Sequence, residues 1–217
     1  MTDHPARRRA LVDGHIRPAD VTKYPIIAAM LDIPREDFVP DALRDLAYVG
    51  EHLDIGGGRV LLDARVFAKM LDALDLQTSD LVLDVGTALG YSAAVIGRMT
   101  EAVVAIEEVP EMAAEAEAQL ALQQADNVAV IEAPLALGAP QQGPYDAIVI
   151  EGGVEQVPQA ILDQVKEGGR IAAVFMQGKL GAVRIGHKSG GHLAWRFAFN
   201  AAAPVLPGFA AAPAFVF

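Results

Sequence analysis

The sequence contains no cysteine, a single tryptophan, and 17 Lys and Arg residues against 28 Asp and Glu, for a formal net charge of -11. Without cysteine there are no disulfides, no thiolate zinc sites and no cysteine nucleophile. The histidines are too scattered along the chain to suggest a metal site, and none is expected. The acidic excess argues against a duplex nucleic acid partner, whose phosphates demand a basic surface. Arg7, Arg8 and Arg9 are a local exception, read as a solvated terminus. No apolar run approaches the roughly 18 residues of a membrane span. The N-terminal basic cluster has no apolar stretch behind it, unlike a signal peptide. A cytoplasmic protein fits these absences.

What the chain does have is apolar residues, 53% of 217, enough for a sizeable core. The central stretch is Leu81-Val82-Leu83-Asp84-Val85-Gly86-Thr87-Ala88-Leu89-Gly90-Tyr91. Its first five residues read as a strand buried on both faces, because the apolar run is continuous rather than alternating. A glycine-punctuated turn follows, and an apolar helix starts at Tyr91. Such a corner suits a nucleotide-like ligand at the carboxyl end of a parallel strand. The next strand ends in Glu107, 21 positions after Gly86, where a carboxylate can accept both hydroxyl protons of a ribose. A dinucleotide fingerprint places its last glycine five positions after the first. Here Gly90 comes at four, and Ala88 puts a methyl where a pyrophosphate needs bare backbone. A nicotinamide-dependent oxidoreductase is therefore disfavoured.

Around this centre the pattern predicts two parts. Residues 1–75 form a helical extension with a glycine-rich loop, and residues 76–217 form a Rossmann-like domain. Residues 1–16 show no periodicity. Helices are expected over 18–31, 41–48 and 64–74, the last capped by Asp63. The loop at 49–62 holds Gly56, Gly57 and Gly58 and suits a short hairpin. Strands are expected at 81–85, 102–107, 127–132, 146–151 and 170–175, with helices at 91–99, 110–124 and 157–166. A hairpin over 181–199 turns at Ser189-Gly190-Gly191, with Trp195 in its core. The alanine-rich tail from 201 to 217 is expected to pack on the core.

The Gly86 loop resembles the cofactor motif of S-adenosylmethionine-dependent methyltransferases with its middle glycine missing. Pro34-Arg35-Glu36-Asp37-Phe38-Val39-Pro40, Ala47-Tyr48, Ala68-Lys69-Met70-Leu71, Asp84-Val85-Gly86-Thr87, Gly90-Tyr91, Asn127-Val128, Tyr145-Asp146-Ala147-Ile148, Val157-Pro158 and Gly168-Gly169-Arg170 extend the likeness. In order and spacing, over about residues 17–180, they resemble the protein-L-isoaspartate (D-aspartate) O-methyltransferase family. The resemblance implies a doubly wound, mostly parallel α/β sheet of seven strands whose last hairpin inserts antiparallel. It implies S-adenosylmethionine as cofactor and a peptide or protein substrate methylated on a carboxylate. The cofactor residues it implies are Asp84, Gly86, Thr87, Ala88, Gly90, Tyr91, Glu107, Glu108, Glu132, Ala133 and Glu151.

This chain also departs from that family. The family's orienting serine is replaced by Leu62, which has no hydrogen-bonding group. Asp63 beside it would repel an anionic substrate unless it faces away or caps the helix. Gly-Asp-Gly after the third strand becomes Ala133-Pro134-Leu135, leaving Glu132 as a substitute for the aspartate. The small polar stretch after the fourth strand becomes Glu151-Gly152-Gly153. Arg59 and Arg65 flank Leu62 and could hold a substrate carboxylate bidentately, with a solvated role as the plainer reading. His52, in the loop before Leu62, is the histidine to watch. No catalytic triad is visible, and none is needed, because an isoaspartyl carboxylate is already ionised at neutral pH. Loss of the serine argues against the usual substrate. It leaves open a different, small-molecule acceptor, or a non-catalytic binding protein that keeps the fold. The oligomeric state is not legible.

Overall fold

The computed structural model describes residues 3–211. The chain opens on helix α1 (His4–Leu11), capped by Asp3, whose Oδ1 accepts from the Ala6 amide at 3.0 Å. It continues through a π-turn (Val12–Ile16) and a 3-10 turn (Arg17–Ala19). Residues 4–16 are thus helical although no periodicity announces it. Leu11, Val12 and Ile16 are their only buried apolar side chains. The helix is instead anchored by Arg8, which donates to the carbonyls of Leu31 and Asp32 and to Tyr48 and Glu36. Arg8 is therefore an interior clamp, not part of a solvated terminus.

The helix expected over 18–31 is shorter. Asp20 sits at φ +66°, outside the right-handed region, and the chain runs on to α2 (Tyr24–Asp32), where Pro25 opens the first turn. Residues 41–46 form a 3-10 turn, as do Arg35–Phe38. The glycine-rich loop is a hairpin, β1 (Leu53–Gly56) with β2 (Arg59–Leu61), turning at Gly57 and Gly58 with φ of +61° and +73°. Helix α3 (Ala64–Leu74) is capped by Asp63, whose carboxylate accepts from the Arg65 amide at 2.7 Å. Its face of Val66, Phe67, Met70, Leu71 and Leu74 is buried as the spacing requires.

The main sheet contains β3 (Leu81–Val85), β4 (Ala102–Glu107), β5 (Val128–Glu132), β6 (Tyr145–Val154), β7 (Val165–Gln177), β8 (Leu180–Ser189) and β9 (His192–Asn200). Its order is β5-β4-β3-β6-β7-β8-β9. The first five strands in that order are parallel, β8 pairs antiparallel with both β7 and β9, and β8 alone therefore runs against the rest. The last hairpin is not inserted into the sheet but added to its edge, since β7, β8 and β9 pair in sequence order. Trp195 is half-buried there, its ring edge-on to Phe175 at 4.7 Å. The connecting helices are α4 (Tyr91–Gly97), α5 (Pro110–Leu122) and α6 (Gln159–Asp163), the last much shorter than its apolar pattern suggests.

One core joins α1, α2, α3 and α4 to one sheet face through Val82, Ala105 and Val149. It runs without a break from the N-terminal helices into the sheet. The other face packs Leu83, Val85, Ile148 and Ile150 under Ile161, Leu135, Leu206 and Phe209. Residues 203–209 form a strap across the carboxyl end of β6. Val205 bridges Gly153 in parallel, the Gly153 amide donates to Pro204 O at 2.7 Å, and the Leu206 amide donates to Gly153 O at 2.9 Å. The tail thus packs on the core as far as residue 211; residues 212–217 lie outside the described part.

Arg35 is the main polar tie within the N-terminal layer. It is buried, donates to Ala47 O at 2.8 Å and Leu62 O at 2.5 Å, and lies over the Tyr91 ring. Arg35→Ala is expected to lower stability by roughly 3–5 kcal/mol, because two buried carbonyls lose a charged donor. Urea unfolding with an unchanged slope and a lower midpoint would register it.

Candidate functional site

The site forms where the strand order reverses, between β3 and β6, at the carboxyl ends of the parallel strands. The turn after β3 is held to β4, with the Gly86 and Thr87 amides donating to Ile106 O at 2.9 and 3.2 Å. Gly86 has φ +81° and Gly90 φ +95°. A Cβ on Gly90 would meet Ala116 of α5 at 3.2 Å, so that glycine serves close helix packing. Ala88 adopts the left-handed conformation that favours glycine, φ +53°. An L-residue there stores about 1–2 kcal/mol of strain.

Glu107 closes β4 and is fully buried. Its Oε2 accepts from the Ala88 amide at 3.0 Å, and its Oε1 from the Glu108 and Val109 amides at 2.9 and 3.1 Å. Arg59, from the β1–β2 hairpin, adds a 2.7 Å ion pair to Oε1. Arg59 is thus neither solvated nor free for a substrate carboxylate in the way the sequence suggests. It is 2% exposed and committed to the acid, with Nε and Nη1 unpartnered among the described residues. Arg65 is exposed and pairs with Asp63 at 3.5 Å.

Beside this lies a second acidic pair. Asp84 is buried on β3, its Oδ2 accepting from Ser92 Oγ at 2.6 Å. Burial pushes its carboxyl up to about 7, opposed by the hydroxyls of Ser92 and Thr87 and assisted by the charge of Glu107. Glu151 is held well above the usual carboxylate range, first by burial and then by Asp84, with Arg35 pulling the other way. Asp84 Oδ1 and Glu151 Oε1 have no partner among the described residues.

Glu108, Glu132, Ala133 and Pro134 line an adjoining open cleft of about 510 Å³. Glu132 is exposed at the end of β5, level with Glu107. Tyr91 points away from that cleft, packing edge-on against Phe38 under Arg35. Leu62 is 2% exposed, and its carbonyl takes Arg35. Asp63 is occupied as the α3 cap and approaches His15 at 3.6 Å. His52 accepts from the Asp63 amide at 2.8 Å through Nδ1, and its Nε2 lies 2.8 Å from the carbonyl oxygen of Ala202, the residue just before the strap. Sequence reasoning did not single out Arg35, Ser92 or Leu206. Leu206 lies against Gly86 and Gly152: a Cβ on Gly152 would sit 2.6 Å from its Cγ. Among the described residues no cluster of His, Asp and Glu could hold a metal ion, and no helix is long and apolar enough to cross a membrane.

A mostly parallel sheet ending in an antiparallel hairpin, with a glycine turn after its central strand and an acid closing the next, defines the fold class of S-adenosylmethionine-dependent methyltransferases. The sequence model of protein-L-isoaspartate(D-aspartate) O-methyltransferases matches residues 6–194, and the chain belongs to that family. Protein-L-isoaspartate O-methyltransferase 2 of Pelobacter propionicus is 37% identical over 176 residues, covering 79% of this chain and 78% of that one. A protein of the same name from Anaeromyxobacter sp. is 36% identical over 178 residues, covering 82% and 72%. A solved protein-L-isoaspartate O-methyltransferase superposes with a TM-score of 0.81 at 24% identity, over 93% of this chain and 66% of that one. Another, from Plasmodium falciparum and bound to S-adenosyl-L-homocysteine, gives 0.79 at 16% identity, over 95% and 99%.

The site makes two predictions. Because the native Asp84 carboxyl binds a proton that the unfolded chain releases above about pH 4, stability falls as pH rises from about 4 through 7. Urea unfolding across that range should show this slope, and Asp84→Asn should flatten it. Arg59→Ala should cost about 3–5 kcal/mol by stranding a buried carboxylate. The Arg59→Ala, Glu107→Ala double variant should lose less than the sum of the two singles in the same unfolding measurement.

Proposed function

We propose that this protein uses S-adenosylmethionine to methylate the carboxylate of isoaspartyl residues in peptides or proteins, as a repair enzyme of the cytoplasm. The absence of cysteine suits a reducing compartment. The observation that carries the reading is Glu107, a buried acid at the end of β4 that faces the glycine turn through the Ala88 amide. The residues present fit the cofactor. Two buried carboxylate oxygens without partners suit a ligand bearing positive charge. The cleft beside Glu108 and Ala133 is of a size for a nucleoside.

Glu107 and Glu108 would hold the ribose side, Glu132, Ala133 and Pro134 the adenine side, and Asp84, Gly86, Thr87, Ala88 and Glu151 the methionine side. When bound, S-adenosylmethionine supplies an electrophilic methyl group. The acceptor carboxylate needs no base, so the chain's task is alignment and exclusion of water. Leu62 and Leu206 supply apolar walls, and a carboxylate stripped of water is a better nucleophile. Among the cations near Leu62, Arg35 has an unpartnered Nη1 and sits close enough to Glu151 to oppose its protonation. That guanidinium is the candidate for orienting the acceptor in place of the absent serine hydroxyl.

S-adenosylhomocysteine at 100 times its dissociation constant should stabilise the fold by about 2.7 kcal/mol, seen as a rise in melting temperature. The protein should methylate an isoaspartyl peptide slowly, and Leu62→Ser should raise turnover by up to about a hundredfold, the value of one orienting hydrogen bond. A melting shift with a nicotinamide dinucleotide and none with S-adenosylhomocysteine would overturn the reading. Cofactor binding without peptide methylation by either protein would redirect it to another acceptor.

A further inference from the structure

Beyond the strap the chain is fixed in place as far as residue 211. Phe209 is buried with Leu135 and Ile161, and its carbonyl accepts from the Glu155 and Gln156 amides at 2.9 and 3.1 Å. Ala210 O accepts from Gln156 Nε2 at 3.2 Å, and the Ala211 amide donates to Glu155 Oε2 at 2.8 Å. This places residue 211 at the approach to α6. Between α6 and the 135–137 turn lies an open groove of about 540 Å³, with Leu137, Pro140, Pro144, Ala160, Asp163 and Gln164 in its lining. Leu137, Pro140, Pro144 and Ala160 are all exposed, Leu137 by 56%. Polar groups of the lining are already filled. Gln164 accepts from the Ala139 amide at 2.9 Å and donates to the carbonyls of Leu137 and Ala160 at 2.8 and 2.7 Å. The Tyr145 hydroxyl donates to Ala139 O at 2.6 Å, and Gln159 Nε2 donates to Asp163 Oδ1 at 2.7 Å. A surface of this kind suits an apolar occupant rather than a charged one.

We propose that this groove is the docking site of the chain's own residues 212–217. They read Ala212-Pro213-Ala214-Phe215-Val216-Phe217, uncharged and with three large apolar side chains in a row. Six extended residues span up to about 20 Å. Gly208 already lies against Ala136, one residue from Leu137. On the other wall, Ala160 stands four residues after Gln156, which holds Ala210. Both walls are therefore close to the point where the six residues begin. A short tether keeps a segment at an effective concentration on the order of millimolar, so contacts too weak to recruit a free partner suffice. Docking covers Leu137 and fastens the far end of the strap, whose Leu206 lies over Gly86 and Gly152. Neither the cofactor nor the methyl acceptor takes part.

Because the chain has no cysteine, one introduced thiol reports on the groove alone. The full chain carrying Leu137→Cys is compared with the same variant ending at Ala211, by the rate of alkylation with iodoacetamide. The thiol should react about tenfold more slowly in the full chain, since only the undocked fraction is open to the reagent. Ala160→Cys probes the opposite wall with Leu137 kept, and should show the same protection. Leu180→Cys, 79% exposed at the start of β8, is the control and should react alike in both lengths. Protection that persists through about a hundredfold dilution of the protein supports docking within one chain. Protection that fades on dilution would put a second copy's segment in the groove and overturn the assignment. Equal alkylation of the two lengths at both positions would overturn docking altogether.

Discussion

The Glu107 carboxylate is the joint on which the site depends. It touches three pieces of the chain: the turn after β3 through the Ala88 amide, the entry to α5 through the Glu108 and Val109 amides, and the β1–β2 hairpin through Arg59. A buried carboxylate is costly unless it is hydrogen-bonded. Here two amides and one guanidinium crowd Oε1, while the Ala88 amide takes one position on Oε2 and leaves that oxygen a lone pair for a ligand hydroxyl. The consequence is geometric. The glycine turn cannot move away from β4, and the hairpin that carries Leu62 cannot move away from the sheet, without exposing an unpaired charge to an apolar interior. The substrate-side loop and the cofactor-side turn are therefore held in one register.

Around that joint Ala88, Leu62 and Glu151 sit beside an intact sheet pairing. Ala88 retains a glycine's backbone angle at the expense of strain. Leu62 contributes its carbonyl to Arg35 but no side-chain donor. Glu151 adds a second buried acid beside Asp84.

Much of the architecture was legible because its signals are local. Continuous apolar runs marked β3, β4 and β6, Pro110 marked the start of α5, and Asp63 marked the start of α3. The site was legible where it depends on a turn and the strand beside it, as for Gly86 and Glu107. What escaped were side chains whose role depends on contacts distant in sequence. Arg59 looked like a loop residue and is an interior ion pair across 48 positions. Helix α1 carries no apolar stripe, because Arg8 does the anchoring with bonds to residues 23 to 40 positions away. The helix expected at 157–166 failed differently. Its last residues, Val165 onward, are claimed by β7, where pairing with Tyr145 and burial under the sheet outweigh helical propensity.

The strap at residues 203–209 has a consequence for how the molecule is made. It follows every strand of the sheet in the chain, yet it covers Gly86 and Gly152 at the sheet's centre. During synthesis the sheet can assemble as its strands leave the ribosome, but the crevice stays without its cover until the strap has also emerged. A nascent chain that stops after β9 would have all nine strands and an open, wetted pocket. The cover over the sheet's centre thus follows the last strand, with the seven residues 203–209.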